Sequence, residues 1–162
     1  MKAPQLHTCF LRRYEALRHI LRDVEVLGAL RSLSTAKRFG EFRMLLEQHF
    51  RDEEEVLLPR FSQLAPEPRA VLDALHAHRL RVLKSVDDVA STIAGSEHAA
   101  FCAAMNGLDE ALEAHRVDEE HVVHPALENV LKNDSDWELL CAQVRFANAQ
   151  NGTGAVCTGL QQ

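Results

Sequence analysis

The sequence carries one motif twice, and this repetition constrains the fold more than any other feature. "HFRDEEEVLLP" spans residues 49–59 and "HRVDEEHVVHP" spans residues 115–125. The two copies share His, Asp, Glu, Glu and Pro at the same offsets. Each copy places several ionisable residues close together, followed by apolar residues and a proline. Such ionisable side chains are costly to bury unless a partner neutralises them.

Each copy has a histidine and a glutamate four residues apart, His49 with Glu53 and His115 with Glu119. Residues at this spacing lie on one face of a helix. Imidazole with carboxylate suits iron, manganese or zinc, and two facing carboxylates can bridge two ions about 3.5 to 4 Å apart. One such pair is also common as a solvated contact on a helix surface, but two copies that share a trailing proline favour a metal site.

The hydrophobic pattern is helical nearly throughout, with apolar residues recurring every three to four positions. It predicts an all-α fold, an up-down-up-down antiparallel four-helix bundle in which the second and fourth helices run the same way and lie diagonally. The two motifs then converge at one depth. A capping-box pattern predicts a short C-terminal helix from Ser135, and the tail after Asn148 lacks periodicity. The predicted long helices span residues 6–33, 34–59, 67–95 and 96–131, which gives a metal-binding bundle over 1–133 and a C-terminal helix and tail over 134–162.

Composition excludes several classes of partner. At 162 residues the chain is sized for a single domain. The formal charge of −6, with 18 Lys and Arg scattered among the acidic residues, argues against nucleic acid. No run approaches the roughly 18 apolar residues of a membrane span, and the N-terminus lacks the apolar segment of a signal peptide. We therefore expect a cytoplasmic protein with no membrane or nucleic-acid partner.

A metal site at the centre of four helices also needs ligands from the first and third. In the first helix His7 aligns with the apolar stripe of Phe10 and Tyr14, so it is a better candidate than His19. In the third helix periodicity does not decide between His76 and His78. Repeat spacing favours His76, because its offset from His7 (76 − 7 = 69) is closer than that of His78 (78 − 7 = 71) to the offset between the motif histidines (115 − 49 = 66). The remaining histidines are expected at the surface or rim: His19, His78, His98, His121 and His124.

One histidine in each of the first and third helices, together with the two motif copies, resembles the hemerythrin-like HHE cation-binding domain, with its pattern H…HxxxE…H…HxxxE on a four-helix bundle. The resemblance spans roughly residues 6–131. It implies a non-haem centre of two iron ions, with zinc or manganese also compatible with the donor types. The ligands that it implies are His7, His49, His76 and His115 as terminal donors and Glu53 and Glu119 as bridges.

The chain departs from the pattern of oxygen-carrying hemerythrins, which have HxxxH on the third helix and HxxxxD on the fourth. Here Leu80 follows His76 at the fourth position, and Glu119 and Glu120 follow His115. The more symmetric set resembles family members associated with nitric oxide response, iron-cluster repair or iron sensing.

Three functions compete on these observations. The first is a di-iron protein that binds or senses a small diatomic ligand such as O2 or NO, or handles iron. The second is a di-iron oxidase or peroxidase, for which Tyr14, the only tyrosine, is a candidate proton donor. The third is a metal-free helical interaction module, which the cost of burying unpaired charges disfavours.

Overall fold

The computed structural model describes residues 5–64, 69–95, 97–125 and 127, with side chains from residue 10 onward except at residue 64. The described chain is helical and contains no strand, which confirms the predicted all-α bundle. None of its helices is both long enough and apolar enough to pass through a bilayer. The elements are α1 (Gln5–Ala29), α2 (Ser34–Asp52), a π-helical segment π1 (Glu53–Leu57), α3 (Leu58–Leu64), α4 (Arg69–Ile93), α5 (His98–Asp118) and a second π-helical segment π2 (Glu119–Val123).

Four long helices result, because α2, π1 and α3 follow one another without a break and π2 continues α5. In space α1 packs against α2 and α5, and α4 packs against the same two helices. The helices that carry the two motifs therefore lie diagonally, as the sequence predicts. The short C-terminal helix and the tail predicted beyond residue 134 lie outside the described residues.

The first helix ends at Ala29, before the predicted Leu33. Arg31 has a φ of 50°, and the N–H groups of Arg31 and Ser32 donate to the carbonyls of Gly28 and Leu27. These bonds form a Schellman cap, in which the left-handed position is normally filled by glycine. The sequence has arginine at this position, so the cap has no sequence signal.

The core is one stripe from each helix, divided into two clusters at different depths of the bundle. The larger cluster runs through the middle and includes Leu17, Phe42, Val82 and Leu108, each fully buried or nearly so. The smaller one lies beyond the motifs and contains Phe10, Leu57, Phe61, Leu75, Val123 and Leu127. The two motifs lie where these clusters meet, so the side chains that they present to the interior are enclosed by apolar walls.

The buried positions show that the bundle is an internal repeat. Buried Phe42 and Leu108 match at an offset of 66 (108 − 42), as do the motif histidines, whereas Leu17 and Val82 match at an offset of 65 (82 − 17). The first and third helices are therefore related by an offset of 65 and the second and fourth by an offset of 66. This register pairs His7 with Leu72 (72 − 7 = 65) and not with His76.

Candidate metal centre

Four buried side chains from the two motifs meet at the centre of the bundle: His49, Glu53, His115 and Glu119. One donor atom from each lies within 4.8 Å of the others, and the four residues are at most 2% exposed. The Nε2 atom of His49 is 2.7 Å from Oε1 of Glu53 and 3.8 Å from Oε2 of Glu119. The Nε2 atom of His115 is 3.1 Å from the same Oε1 of Glu53. Two imidazoles from diagonal helices therefore share one carboxylate.

Both motif glutamates begin a π-helical segment. The N–H of Leu58 donates to the carbonyl of Glu53, and the N–H of His124 donates to the carbonyl of Glu119, each across five residues. Such segments widen a helix by one residue, and they occur frequently at functional sites. The proline six residues after each glutamate has no N–H to offer the preceding turn, so the α-helical bonding pattern is interrupted here in both copies.

The widened turns explain why the buried positions advance by four residues twice in succession. Glu53, Leu57 and Phe61 are all buried, and so are their counterparts Glu119, Val123 and Leu127. In an uninterrupted α-helix each step of four residues rotates the side chain by about 40°, so the third residue would leave the core face. Two steps of four after a glutamate, with a nearby proline, are the sequence signal for this feature.

Tyr14 of α1, the first helix, also contacts the cluster, which the second and fourth helices otherwise form. Its side chain is 3% exposed, and its hydroxyl donates a hydrogen bond of 2.8 Å to Oε2 of Glu119. The same hydroxyl oxygen is 3.1 Å from Nε2 of His49, and the two rings meet edge to face with centroids 4.8 Å apart. Tyr14 thus contacts both motifs.

The two glutamates have opposite electrostatic environments. Burial by itself would raise the pKa of Glu53, but the imidazoles of His49 and His115 outweigh burial and hold this pKa well below its usual range. The pKa of Glu119 lies well above its usual range because of burial and because the charge of Glu53 is adjacent, although the Tyr14 hydroxyl opposes the shift. Without a cation, the two carboxyl groups are therefore not equivalent, because the surroundings favour the anion at Glu53 and the neutral acid at Glu119.

The cluster fits a bound cation. The Oε1 atom of Glu119 is buried and lacks a hydrogen-bond partner among the described residues. Buried groups of this kind are normally paired, and each costs on the order of 1–3 kcal/mol when it is not. Two imidazoles and two carboxylates form the donor set expected for iron, manganese or zinc.

A second layer of polar residues fixes the motif helices. The carboxylate of Asp52, fully buried, accepts an ion-pair contact from Arg13 of α1 and a hydrogen bond of 2.8 Å from Gln48. Its repeat counterpart Asp118 is 2.9 Å from Nδ1 of His78 on α4. The counterpart of Arg13 is His78 itself (78 − 13 = 65), so each motif aspartate pairs with the same position of the preceding helix. Neither contact is predictable from spacing along the sequence, since each joins two different helices.

The structure does not bring His76 to the cluster. Its side chain is exposed on α4, in line with exposed Leu80 and Leu83, while the buried stripe of this helix runs through Leu75 and Val82. The expectation that His76 supplies the ligand of the third helix thus does not match its position. The repeat register explains the difference, because the first and third helices align at an offset of 65 and the choice of His76 had required an offset of 69.

The other predicted histidines divide into three groups. His7 lies on α1, and its side chain is outside the described part of the chain. Five histidines were predicted at the surface or rim, and the structure agrees for His19, His98 and His121, which are exposed. His78 is only partly exposed, at 19% of its side chain. His124, also predicted at the surface or rim, is instead 3% exposed, with its ring 5.6 Å from that of Phe10. The π-helical segment turns it inward.

Comparison with known proteins agrees with this geometry. The model of the hemerythrin HHE cation binding domain family matches residues 5–127, which includes both motifs and all four long helices. No curated protein sequence and no solved structure matches the chain significantly.

Proposed function

The chain belongs to the hemerythrin HHE cation-binding domain family, and on that premise we propose that it holds a non-haem centre of two iron ions. With this centre the protein binds or senses a small diatomic ligand such as O2 or NO, or handles iron. The cytoplasm is the compartment in which we expect it to act.

The observation that carries the proposal is the convergence of His49, Glu53, His115 and Glu119 in a buried cluster. Two carboxylates from opposite helices can each bridge a pair of ions, and the imidazoles then serve as terminal ligands. The metal supplies redox and ligand-binding chemistry when it is bound. The protein supplies the donors and the apolar walls that keep bulk water from the site.

Two further ligand positions belong to the proposal. His7 is the candidate on the first helix, because it is two turns before Tyr14 on the helix that reaches the cluster. On the third helix neither histidine stands at the counterpart of His7, where Leu72 is found. We propose that His78 positions Asp118 and that the ion beside His115 has fewer protein ligands than the ion beside His49. An ion with open positions is the one suited to bind a diatomic molecule.

Apolar enclosure supports a small ligand over a large substrate. The ring of Phe50 lies edge-on to His115 with centroids 5.3 Å apart, and Phe10 packs on His49 at 5.7 Å. Aromatic rings in contact with both imidazoles exclude bulk water and large molecules from the cluster, which favours a small ligand.

Elemental analysis of protein purified without added metal, read with its visible spectrum, tests the proposal. We expect about two ions per chain, with iron predominant when iron is supplied during expression. Addition of NO to the reduced protein should change the spectrum of the iron. Folded protein that contains almost no metal, and that takes up none from added Fe(II), would overturn the proposal.

A further inference from the structure

The hydroxyl group of Tyr14 makes polar contacts within the cluster, in addition to the packing of its ring. Its hydroxyl oxygen is 2.8 Å from Oε2 of Glu119 and 3.1 Å from Nε2 of His49. Both of these residues belong to the set that could hold a metal ion. The phenol oxygen is therefore in contact with two candidate donor groups from different helices.

The spacing is that of neighbouring ligands in one coordination shell. Donor atoms about 2.1 Å from the same ion and at right angles to each other are separated by roughly 3 Å. The contact of His49 with Glu53 is 2.7 Å and that of His115 with Glu53 is 3.1 Å. The two distances made by the Tyr14 oxygen fall within this same range. The phenol thus stands where a further ligand of the ion beside His49 would stand.

We propose that Tyr14 is itself a metal ligand, whose phenolate oxygen binds the ion held by His49 and Glu119. This inference rests on the proposed function, since it requires a metal in the cluster. Tyrosinate is an established donor to ferric iron in proteins. When the bond forms, the O–H bond of Tyr14 breaks, the oxygen keeps the electron pair and donates it to the ion, and the proton passes to solvent. No oxidation or reduction is involved.

The environment of Tyr14 without a cation opposes ionisation, and a cation reverses this. Burial raises the pKa of the Tyr14 hydroxyl well above its usual value, and the neighbouring carboxyl groups of Glu119 and Glu53 raise it further. A bound cation neutralises these carboxylates and becomes the largest charge in the site, which inverts the direction of the shift.

The two halves of the internal repeat differ at this position, so only one of the two ions would have a phenolate ligand. The counterpart of Tyr14 on α4 is Arg79 (79 − 14 = 65), which points away to contact Glu54 and to lie over the ring of Phe50. The ion beside His115 therefore has no equivalent phenol among the described residues. Tyr14 makes the two halves of the centre chemically different.

The decisive property of the sequence is that Tyr14 is the only tyrosine. In protein loaded with iron and oxidised to the ferric state, we expect a phenolate-to-iron charge-transfer band in the visible region. Resonance Raman excitation in that band should enhance the ring vibrations of a coordinated phenolate, which no other residue of this chain can produce. Ferric protein with its full iron content but without these signals would overturn the inference and leave the proposed function intact. Failure to take up any metal would overturn both.

Tyr14→Phe keeps the buried ring and removes only the oxygen. The variant should lose the band while it retains most of its iron, because the motif ligands remain. Zinc binding provides a second readout, since the wild-type protein should release one more proton per chain than Tyr14→Phe at the same pH. Equal proton release by the two proteins would count against a phenolate ligand even if the variant is less stable.

Discussion

Tyr14 on the first helix and Glu119 on the fourth are joined by a buried hydrogen bond of 2.8 Å across 105 positions of sequence. The bond gives Glu119 a proton donor, whereas Glu53 faces two imidazoles. Two glutamates at equivalent positions of an internal repeat therefore differ in chemistry. The difference arises from the first helix, because its counterpart in the repeat supplies Arg79 at this position and not a second phenol.

Replacement of the two glutamates in metal-free protein should have opposite effects. Glu119→Gln should raise the melting temperature, because the amide carries no charge, whereas burial and the charge of Glu53 disfavour the Glu119 carboxylate, and the amide can still accept the Tyr14 hydrogen bond. Glu53→Gln should lower stability by about 1–3 kcal/mol, because it removes the anion that both imidazoles contact. Thermal unfolding of the two chelated variants is the measurement. Equal effects would mean that the two carboxylates are equivalent.

The pH dependence of Glu119→Gln follows from the direction of the Glu119 pKa. An acid with a raised pKa in the folded state keeps its proton there while the unfolded chain has lost it, so stability falls as pH rises above about 4.3, the usual value for Glu. The advantage of the metal-free variant over metal-free wild type should therefore grow as pH rises above about 4.3. An advantage that is constant with pH would contradict this protonation state.

Removal of metal should destabilise the fold. A cation that binds only the folded cluster raises stability by mass action, so chelated protein should melt at a lower temperature than loaded protein at pH 7. Protons compete with the metal for imidazole, and the difference should fade below about pH 6. An unchanged melting temperature in protein shown to have lost its metal would mean that the cluster does not bind it.

Alanine variants of the histidines should differ in metal content according to whether the histidine belongs to the buried cluster or lies at the surface. His49→Ala and His115→Ala should lose metal, while His19→Ala, His98→Ala and His121→Ala should retain it, because the latter three side chains are exposed. His76→Ala should behave like the surface group. Elemental analysis of all six proteins checks this, and a loss in His76→Ala equal to that in His49→Ala would refute the placement of the third helix.

The two motif aspartates offer a matched pair for stability. Asp52 is fully buried against Arg13, so Asp52→Asn should cost about 3–5 kcal/mol by leaving a buried charge without its partner. Asp118 is about one-third exposed and contacts His78, so Asp118→Asn should cost no more than about 1 kcal/mol. Denaturant unfolding measures both. Similar costs would show that the Asp52 ion pair is solvated.

Close packing at one end of the bundle provides a last test. A Cβ added at Gly28 would overlap the ring of Phe101, whereas one added at Gly40 meets no described atom within 4 Å. Gly28→Ala should therefore destabilise the protein by about 1–3 kcal/mol, since the ring must move. Gly40→Ala should stabilise it by about 0.5–1 kcal/mol through helix propensity. Equal changes in melting temperature would contradict this contact.

The sequence by itself determined the features that depend on spacing along one helix. Apolar periodicity predicted four helices, and the second begins at Ser34 as predicted, although Leu33, the residue before it, makes no side-chain capping bond. The four-residue spacing of His49 with Glu53, and of His115 with Glu119, predicted which side chains share a face. These relations are local, because the geometry of a helix fixes them whatever the helix packs against.

Only the tertiary structure decided the relations between helices. The sequence placed His76 by assuming a register for the third helix, but packing of Leu75 and Val82 sets that register and leaves His76 exposed. Packing likewise determines that Tyr14 meets Glu119 and that His124 is buried after the widened turn. The rotation and axial position of each helix depend on the whole core, and the spacing of residues within one helix does not specify them.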